Sequence, residues 1–413
     1  MDETFVPTLA AAQARIAAVR PAAYARTRNA LDGAVSGLSP YITHGVVTLA
    51  DVLAGVAARH PLDVQHKFVF ELGWRAFFRH VWQQRGEAIL RSLHEGPLPD
   101  DAYARVVPAD IREACTGVPV VDEAVRALYA TGMLHNHARM WLASYVVHVR
   151  KVHWRAGADW LYGHLLDGDL ASNHLSWQWV AGTGSSKPYL FNADNVARYA
   201  PAPWHSPGSV IDTSYEELDR MARRPVSQPA GQPAPSLRRH GEPDAVSGSP
   251  ARVEPHLGAE PPDKLGSTAP DAAAVTGRDV WLVHPWMLGE LPAALPAETV
   301  VIGIFVADFH RAWPWSERRW HFVGSRMAEL AATRWHGDAA SIGSALATAR
   351  SVRSIDEPHL APWLARWASC EAAPALFPNV DRRCDSFSQW WTRASRGMDS
   401  ATDLLAGNEA PVW

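Results

Sequence analysis

Asp167, Asp169, Asn173, Trp177 and Trp179 fall within one short stretch, LLDGDLASNHLSWQW, from Leu165 to Trp179. A helix beginning near Asp169 puts Asp169, Asn173 and Trp177 on one face. Carboxylate, amide and indole groups arranged in this way can hydrogen-bond to, and stack on, a planar redox-active ring. The same residues also suit an N-cap aspartate followed by tryptophans of a core.

Two other stretches repeat the combination. In FVFELGWRAFFRHVW, Glu71, Trp74, Arg75 and Phe78 recur at helical spacing. A carboxylate, an indole and a guanidinium on a face that should be core are costly unless each finds a partner. A ligand with donors and a flat apolar ring supplies one; an internal Glu–Arg pair on a half-exposed helix is the alternative. In GMLHNHARMWLASYVV, Asn136, Arg139, Met140 and Ala143 share a face. Arg139 can pair with Asp167 if the two segments meet, which would hold the guanidinium against a ring edge. The loop GAVSGLSPYITHG brings Gly33, Ser36, Gly37 and Ser39 just before a helix. Such a loop can cradle a diphosphate, although any Gly/Ser turn looks similar.

These residues must be positioned by the elements around them. From Met1 to about Trp204 apolar residues recur at three and four, so residues 1–204 are expected to be helical. Residues 205–277 are rich in Pro, Gly, Ser and Ala and are expected to form a flexible linker, with one short helix in YEELDRMARR. VWLVHPW and TVVIGIFVADF then read as buried parallel strands. Helical patterns near Ser316–Arg334, Ile342–Ala349 and Ala361–Ala368 alternate with them. That alternation predicts a small α/β domain over 278–396, followed by a tail at 397–413. The fold class expected is therefore multi-domain: an all-α domain plus a small Rossmann-like parallel-sheet domain. The formal net charge of −4 excludes a polyanion binder by bulk charge but leaves room for a local basic groove. Nineteen tryptophans exceed ordinary usage, and they offer packing surface, stacking faces and electron relays. Cys115, Cys370 and Cys384 are dispersed, which excludes a disulfide framework and a CxxC metal site and suits a reducing cytoplasm. No signal peptide and no membrane span are expected.

Taken in order, the motifs resemble those of the photolyase and cryptochrome family. Tyr24, VSGLSPY, ELGWRAF, GMLHNHARM and DGDLASNHLSWQW follow the order of its helical flavin-binding domain, and SSKPYLFNADN fits the stretch after them. The resemblance covers about residues 5 to 200 and implies FAD as cofactor. It implies that Tyr24, Ser36, Leu38 and Ser39 hold the phosphates and ribityl chain, and that Arg75 is a phosphate neighbour. Glu71 matches the glutamate on the adenine side that faces the lesion. Asn136, Arg139, Asp167 and Asp169 match the polar ring around the flavin, and Asn173 the residue beside flavin N5. Trp74, Met140 and Trp179 match the lesion cavity; Trp177 and Trp154 match the first two members of the photoreducing tryptophan chain. Phe68 stands among the cofactor positions where a tryptophan is often found. Val35 and Gly37 replace a threonine and an arginine of the loop, and His137 replaces a cation that often touches DNA. The third relay tryptophan has no counterpart in register; Asp101 and Tyr103 lie there.

The order of domains differs from the family's usual one. ADFHRAWPWSERRWHFVGSRMAEL, SIDEPHLAPWLARW and CDSFSQWWTRA resemble parts of the antenna domain that usually comes first. A circularly permuted order is therefore expected, with no antenna pigment assignable. The resemblance implies blue-light repair of cyclobutane pyrimidine dimers in damaged DNA, the dimer flipped from the duplex and split by an electron from reduced flavin. It implies a lyase that is monomeric and cytoplasmic, with no metal and no membrane partner. A cryptochrome-like photoreceptor, its signalling partner unknown, is the alternative; a flavoprotein with a non-DNA substrate is a third. His44 and His135 are candidates for the histidines of six-four enzymes, in surroundings that do not otherwise look six-four-like.

Overall fold

The computed structural model describes residues 5–225 and 253–406. Residues 5–225 are helical, as the spacing of apolar residues predicts. Four helices matter to the site: α1 (Lys67–Arg85), α2 (Asn136–Ser144), α3 (Trp154–His164) and α4 (Leu170–Ala181). Helix α4 is the central one and is buried on nearly every side. That placement is tolerable because its polar residues are partnered. Asn173 Nδ2 donates to Ala158 O at 2.9 Å, and Gln178 Nε2 to Ile89 O at 2.8 Å; His174 Nε2 meets Asp159 Oδ1 at 2.8 Å. Asp169 caps the helix by accepting from Ser172 N at 2.8 Å, and Gly182, at φ 78°, ends it in the left-handed region.

The α/β part is a five-stranded parallel sheet: β1 (Asp279–Val283), β2 (Val300–Val306), β3 (Thr333–Gly337), β4 (Ser351–Ile355) and β5 (Ser369–Glu371). The strand order is β3-β2-β1-β4-β5, that of a doubly wound sheet. Register sets Val280 opposite Val300 and Ile302 opposite Thr333. Helix α5 (Glu317–Leu330) follows β2, and α6 (Phe387–Ala394) closes the domain. Both apolar strand runs in the sequence are the two central strands, buried as expected.

The halves share one apolar core. Residues from Ala12 to Ile89, with Tyr162, Leu166, Leu170, Ala171 and Leu175, pack in the same cluster as the sheet, whereas the other core residues from Leu98 to Ile211 form a second cluster. Tyr41 meets Phe322 edge-on at 5.5 Å, and Phe70 lies 4.4 Å from Trp391. A side chain at Gly73 would start 2.4 Å from Trp391, so α6 lies against the backbone of α1.

The stretches expected as a flexible linker and as a tail both make specific contacts with the rest of the chain. Of the linker expected over 205–277, Tyr215–Arg223 is the foreseen helix, and Lys151 Nζ donates to Met221 O and Ala222 O at its end. After residue 252 the chain is pinned by Glu254, which meets Arg112 at 2.6 Å and Trp160 Nε1 at 2.9 Å. It then pairs Leu257–Gly258 with Trp315–Ser316. Residues 226–252 of the expected linker lie outside the described residues. The tail expected from 397 is tied down to residue 406: Ala401 N donates to Leu62 O at 2.9 Å and Leu404 is buried. Specific side-chain contacts, invisible in local composition, overcome the low apolar content of these stretches.

Candidate functional site

Helices α1, α2 and α4 converge on a cleft enclosing about 780 Å³, its open mouth included. It is lined by Glu71, Trp74, Arg75, Asn136, Arg139, Met140, Asp167, Asn173 and Trp177, all singled out from the sequence. Residues 100 positions apart reach one cavity because each presents one helix face to it.

The charged groups on its wall are arranged in pairs, with one exception. Arg139 Nη2 donates to both oxygens of Asp167 at 2.9 Å, so the pair expected from the sequence forms. Burial raises the Asp167 carboxyl pKa, but Arg139 and the Ser39 hydroxyl outweigh it and hold it below its ordinary value. Glu71 lies 3.5 Å from Arg28. Desolvation at the cleft wall outweighs Arg28 and raises the Glu71 pKa, although 42% of the side chain is exposed. Arg75 is the exception. Its Nη1 donates to Thr43 Oγ1 at 2.8 Å, and among the described residues no carboxylate lies within ion-pairing distance. A guanidinium left without an anion on a cleft wall is a ready anion site.

This arrangement fits FAD. Arg75 offers an unpaired cation for a phosphate, and Asn173, its Nδ2 fixed by Ala158 O, leaves its carbonyl oxygen for a donor in the cleft. Trp177 offers an apolar wall; its ring lies over Gly157 of α3, where a Cβ would stand 2.3 Å away.

Other sequence-derived residues stand behind the lining or apart from it. Asp169, expected in the same polar ring as Asp167, instead turns away. Its carboxylate caps α4 and meets Arg79 Nη2 at 2.7 Å, because the N-cap position directs it at the Ser172 N–H. Tyr24 is edge-on to buried Phe68 at 5.5 Å, behind Glu71. Leu38 is in the core, and Ser36 and Ser39 flank it on the loop; only Ser39 reaches the site, through Asp167. Gly37 has φ +62°, and a side chain there would begin 2.5 Å from the Arg15 guanidinium, so the helix Leu9–Ala18 sets a cation beside the loop that lacks its own. Trp154 is buried with Nε1 donating to Ser92 Oγ at 3.0 Å. Trp179 does not line the cleft. Two residues beyond Trp177, it lies roughly 200° round the helix, 43% exposed beside Tyr189.

Several residues escaped the sequence reading. Arg79 bridges two buried carboxylates, Asp169 at 2.7 Å and Glu357 Oε1 at 2.7 Å. Its spacing from Glu71 and Arg75 on α1 was the available signal. Glu357 also accepts from His359 Nδ1 at 2.5 Å, and that ring stacks on Trp286 at 4.2 Å. Nothing in the sequence pairs residue 79 with 357. Phe387 stacks on Trp74 at 4.1 Å and 10°, covering one face of an indole expected to serve a ligand. Leu161, Ser172, Ser176 and Val180, with Phe78 and Ala143 already named from the sequence, complete the lining. Among the described residues no helix is long and apolar enough to cross a membrane, and no group of three or more His, Cys, Asp or Glu side chains is placed to hold a metal. His44 and His135 do not line the cleft: His44 is in the core between Pro285 O and Leu166 O, and His135 caps α2.

The chain is similar in part to known proteins. Residues 68–244 match the FAD binding domain of DNA photolyase. A deoxyribodipyrimidine photo-lyase of Streptomyces griseus is 37% identical over 155 residues, covering 37% of this chain and 33% of the relative. The cryptochrome DASH, chloroplastic/mitochondrial, of Ostreococcus tauri is 30% identical over 222 residues, covering 52% and 40%. A crystal structure of a Synechocystis cryptochrome aligns with a TM-score of 0.42 at 28% identity, covering 48% of this chain and 44% of that one. The match spans 33% to 44% of the length of the first photo-lyase relatives.

Proposed function

We propose, from the match of residues 68–244 to the FAD binding domain of DNA photolyase, that this protein repairs cyclobutane pyrimidine dimers in DNA under blue light. The observation that carries the reading is the single cleft joining Arg75, Arg139, Asp167 and Asn173 to Glu71, Trp74 and Met140. Relatives named deoxyribodipyrimidine photo-lyase support it. FAD supplies the light absorption and the transferable electron when bound. Arg75 would neutralise a phosphate, Asp167 orients Arg139, and Asn173 presents its amide within the cleft. Glu71 lines the same cleft as Trp74, where its carboxyl can hydrogen-bond to a flipped base. Repair of a defined dimer-containing oligonucleotide under blue light tests the proposal. No repair by FAD-loaded, reduced protein would overturn it.

Two variants refine the test. Base–aromatic stacking is worth roughly 1–3 kcal/mol, so Trp74→Ala should weaken binding to dimer-containing DNA by about tenfold to a hundredfold. FAD content should persist, and undamaged DNA, held through its phosphates, should bind almost as before. Equal loss on both DNAs in a salt-controlled titration would remove Trp74 from lesion recognition. Trp177→Phe should slow photoreduction of oxidised flavin by a thiol donor and leave FAD binding intact. A wild-type rate of photoreduction would mean that electrons take another route.

A cryptochrome-like photoreceptor is the second reading. Two placements favour it: Trp179 lies off the cleft, and Phe387 covers one face of Trp74. The absence of any preference for damaged over undamaged DNA would select it. We further propose the division into a flavin domain at 1–204 and an antenna-like α/β domain at 278–396 in permuted order.

A further inference from the structure

The turn between α3 and α4 carries both Asp167 and Asp169, and among the described residues its carbonyl oxygens at 166, 167 and 168 accept from no backbone N–H. Three successive carbonyl oxygens are held instead by side chains. Leu166 O meets His44 Nε2 at 2.9 Å, Asp167 O accepts from Thr43 Oγ1 at 3.3 Å, and Gly168 O accepts from Arg319 Nη2 at 2.5 Å. The last donor comes from α5, in the α/β half. Arg319 Nη1 also donates to Tyr162 O at 3.1 Å. Its guanidinium lies between the rings of Trp315 and Tyr162, at 4.1 and 4.6 Å.

Arg319 is an expensive residue to place there. It is 0% exposed, and among the described residues it has no carboxylate within ion-pairing distance. It also sits in the first turn of α5, where the helix dipole disfavours a cation. Neither the stability of α5 nor a salt bridge accounts for it. Its contacts do. A Cβ at Gly168 would stand 2.5 Å from Arg319 Nη1 and 2.7 Å from Tyr162 O, so glycine, guanidinium and helix end are mutually fitted. The flanking carboxylates then point opposite ways, Asp167 to Arg139 on the cleft wall and Asp169 to Arg79 behind it.

We propose that Arg319 is a positioning residue for the flavin cleft, acting through the Gly168 backbone to set Asp167 and Asp169 in their places. The α/β half thereby completes a site whose lining lies wholly in the helical half. The proposal rests on the FAD reading for its ligand alone.

Arg319→Met keeps the bulk and removes the donors; Arg319→Lys keeps the charge with a single donor group. In the full chain, FAD affinity is read by flavin fluorescence, and hydrogen exchange of residues 165–169 is read in the FAD-free protein. Arg319→Met should bind FAD about tenfold or more weakly and exchange faster over that turn, a charge-assisted bond being lost at a buried carbonyl. The amides of β1 and β2 should exchange as in wild type, and Arg319→Lys should recover part of both effects. Wild-type affinity and exchange in Arg319→Met overturn the proposal, as does weaker FAD binding with an unchanged turn. Should Arg319→Met not fold, Arg319→Lys and Gly168→Ala, alone and combined, decide: additive effects on FAD affinity overturn it, and coupled effects support it. Wild-type protein that binds no FAD would remove the FAD reading, and the exchange arm would still judge the positioning of the turn.

Discussion

Arg79→Ala is expected to cost roughly 3–5 kcal/mol of folding stability at neutral pH, because it leaves buried carboxylates without their counter-charge. Asp169 and Glu357 have side chains 1% and 7% exposed, and both lie 2.7 Å from this one guanidinium. Burial raises both carboxyl pKa values, but Arg79, with His359 beside it, outweighs burial and holds both well below their ordinary values of 3.8 and 4.5. Depressed carboxyl pKa values mean stability that is complete above about pH 5 and lost as pH falls through the folded-state values. Wild-type protein should therefore lose stability progressively below that pH. In Arg79→Ala the stabilising cation is gone and burial alone acts, so both carboxyls take up protons more readily. The deficit of the variant should be greatest near pH 8 and shrink toward pH 5. Urea denaturation at the two pH values measures this. A deficit independent of pH, or one under about 1 kcal/mol as for a surface pair, would show that Arg79 does not join the halves electrostatically.

The second large effect is on the cofactor. Asp167→Ala should abolish FAD retention and cost roughly 3 kcal/mol, the lower end for breaking a buried pair, since Arg139 is partly solvated. The Arg139 side chain is 24% exposed against 4% for Asp167. The variant also strands the Ser39 hydroxyl and frees Arg139 to swing into the cleft. Asp167→Asn should be milder in stability, because the amide still accepts a hydrogen bond, but it should still release FAD more readily. Flavin content after gel filtration and the melting temperature are the measurements. A variant with wild-type flavin content would place the pair outside the cofactor's reach.

The contrast between Asp167 and Asp169 shows where sequence reasoning stops. Both stand in the same DGD turn, and both were expected beside the flavin. One lines the cleft; the other caps α4 and pairs with Arg79. Two residues of separation at a helix start send side chains in opposite directions, and the choice depends on where the cap N–H lies. Trp177 and Trp179 differ for a similar reason: one is on the buried face of α4 and the other is 43% exposed. In the stretch expected as a flexible linker, residues 205–225 and 253–277 make specific contacts where single long-range partners, such as the Arg112 and Trp160 clamp on Glu254, offset the entropy of ordering a polar chain.

By itself the sequence determined the helical half, the parallel strands and most of the cleft lining. Those features follow from periodicity within one element, and periodicity is a local property of the chain. The joining of Arg79 to Glu357, of Arg319 to Gly168 and of Phe387 to Trp74 was decided only by tertiary structure. These pairs are separated by 150 residues or more. No local pattern encodes them, because their partners are chosen by how the two halves pack and by the cost of burying an unpaired charge at the seam.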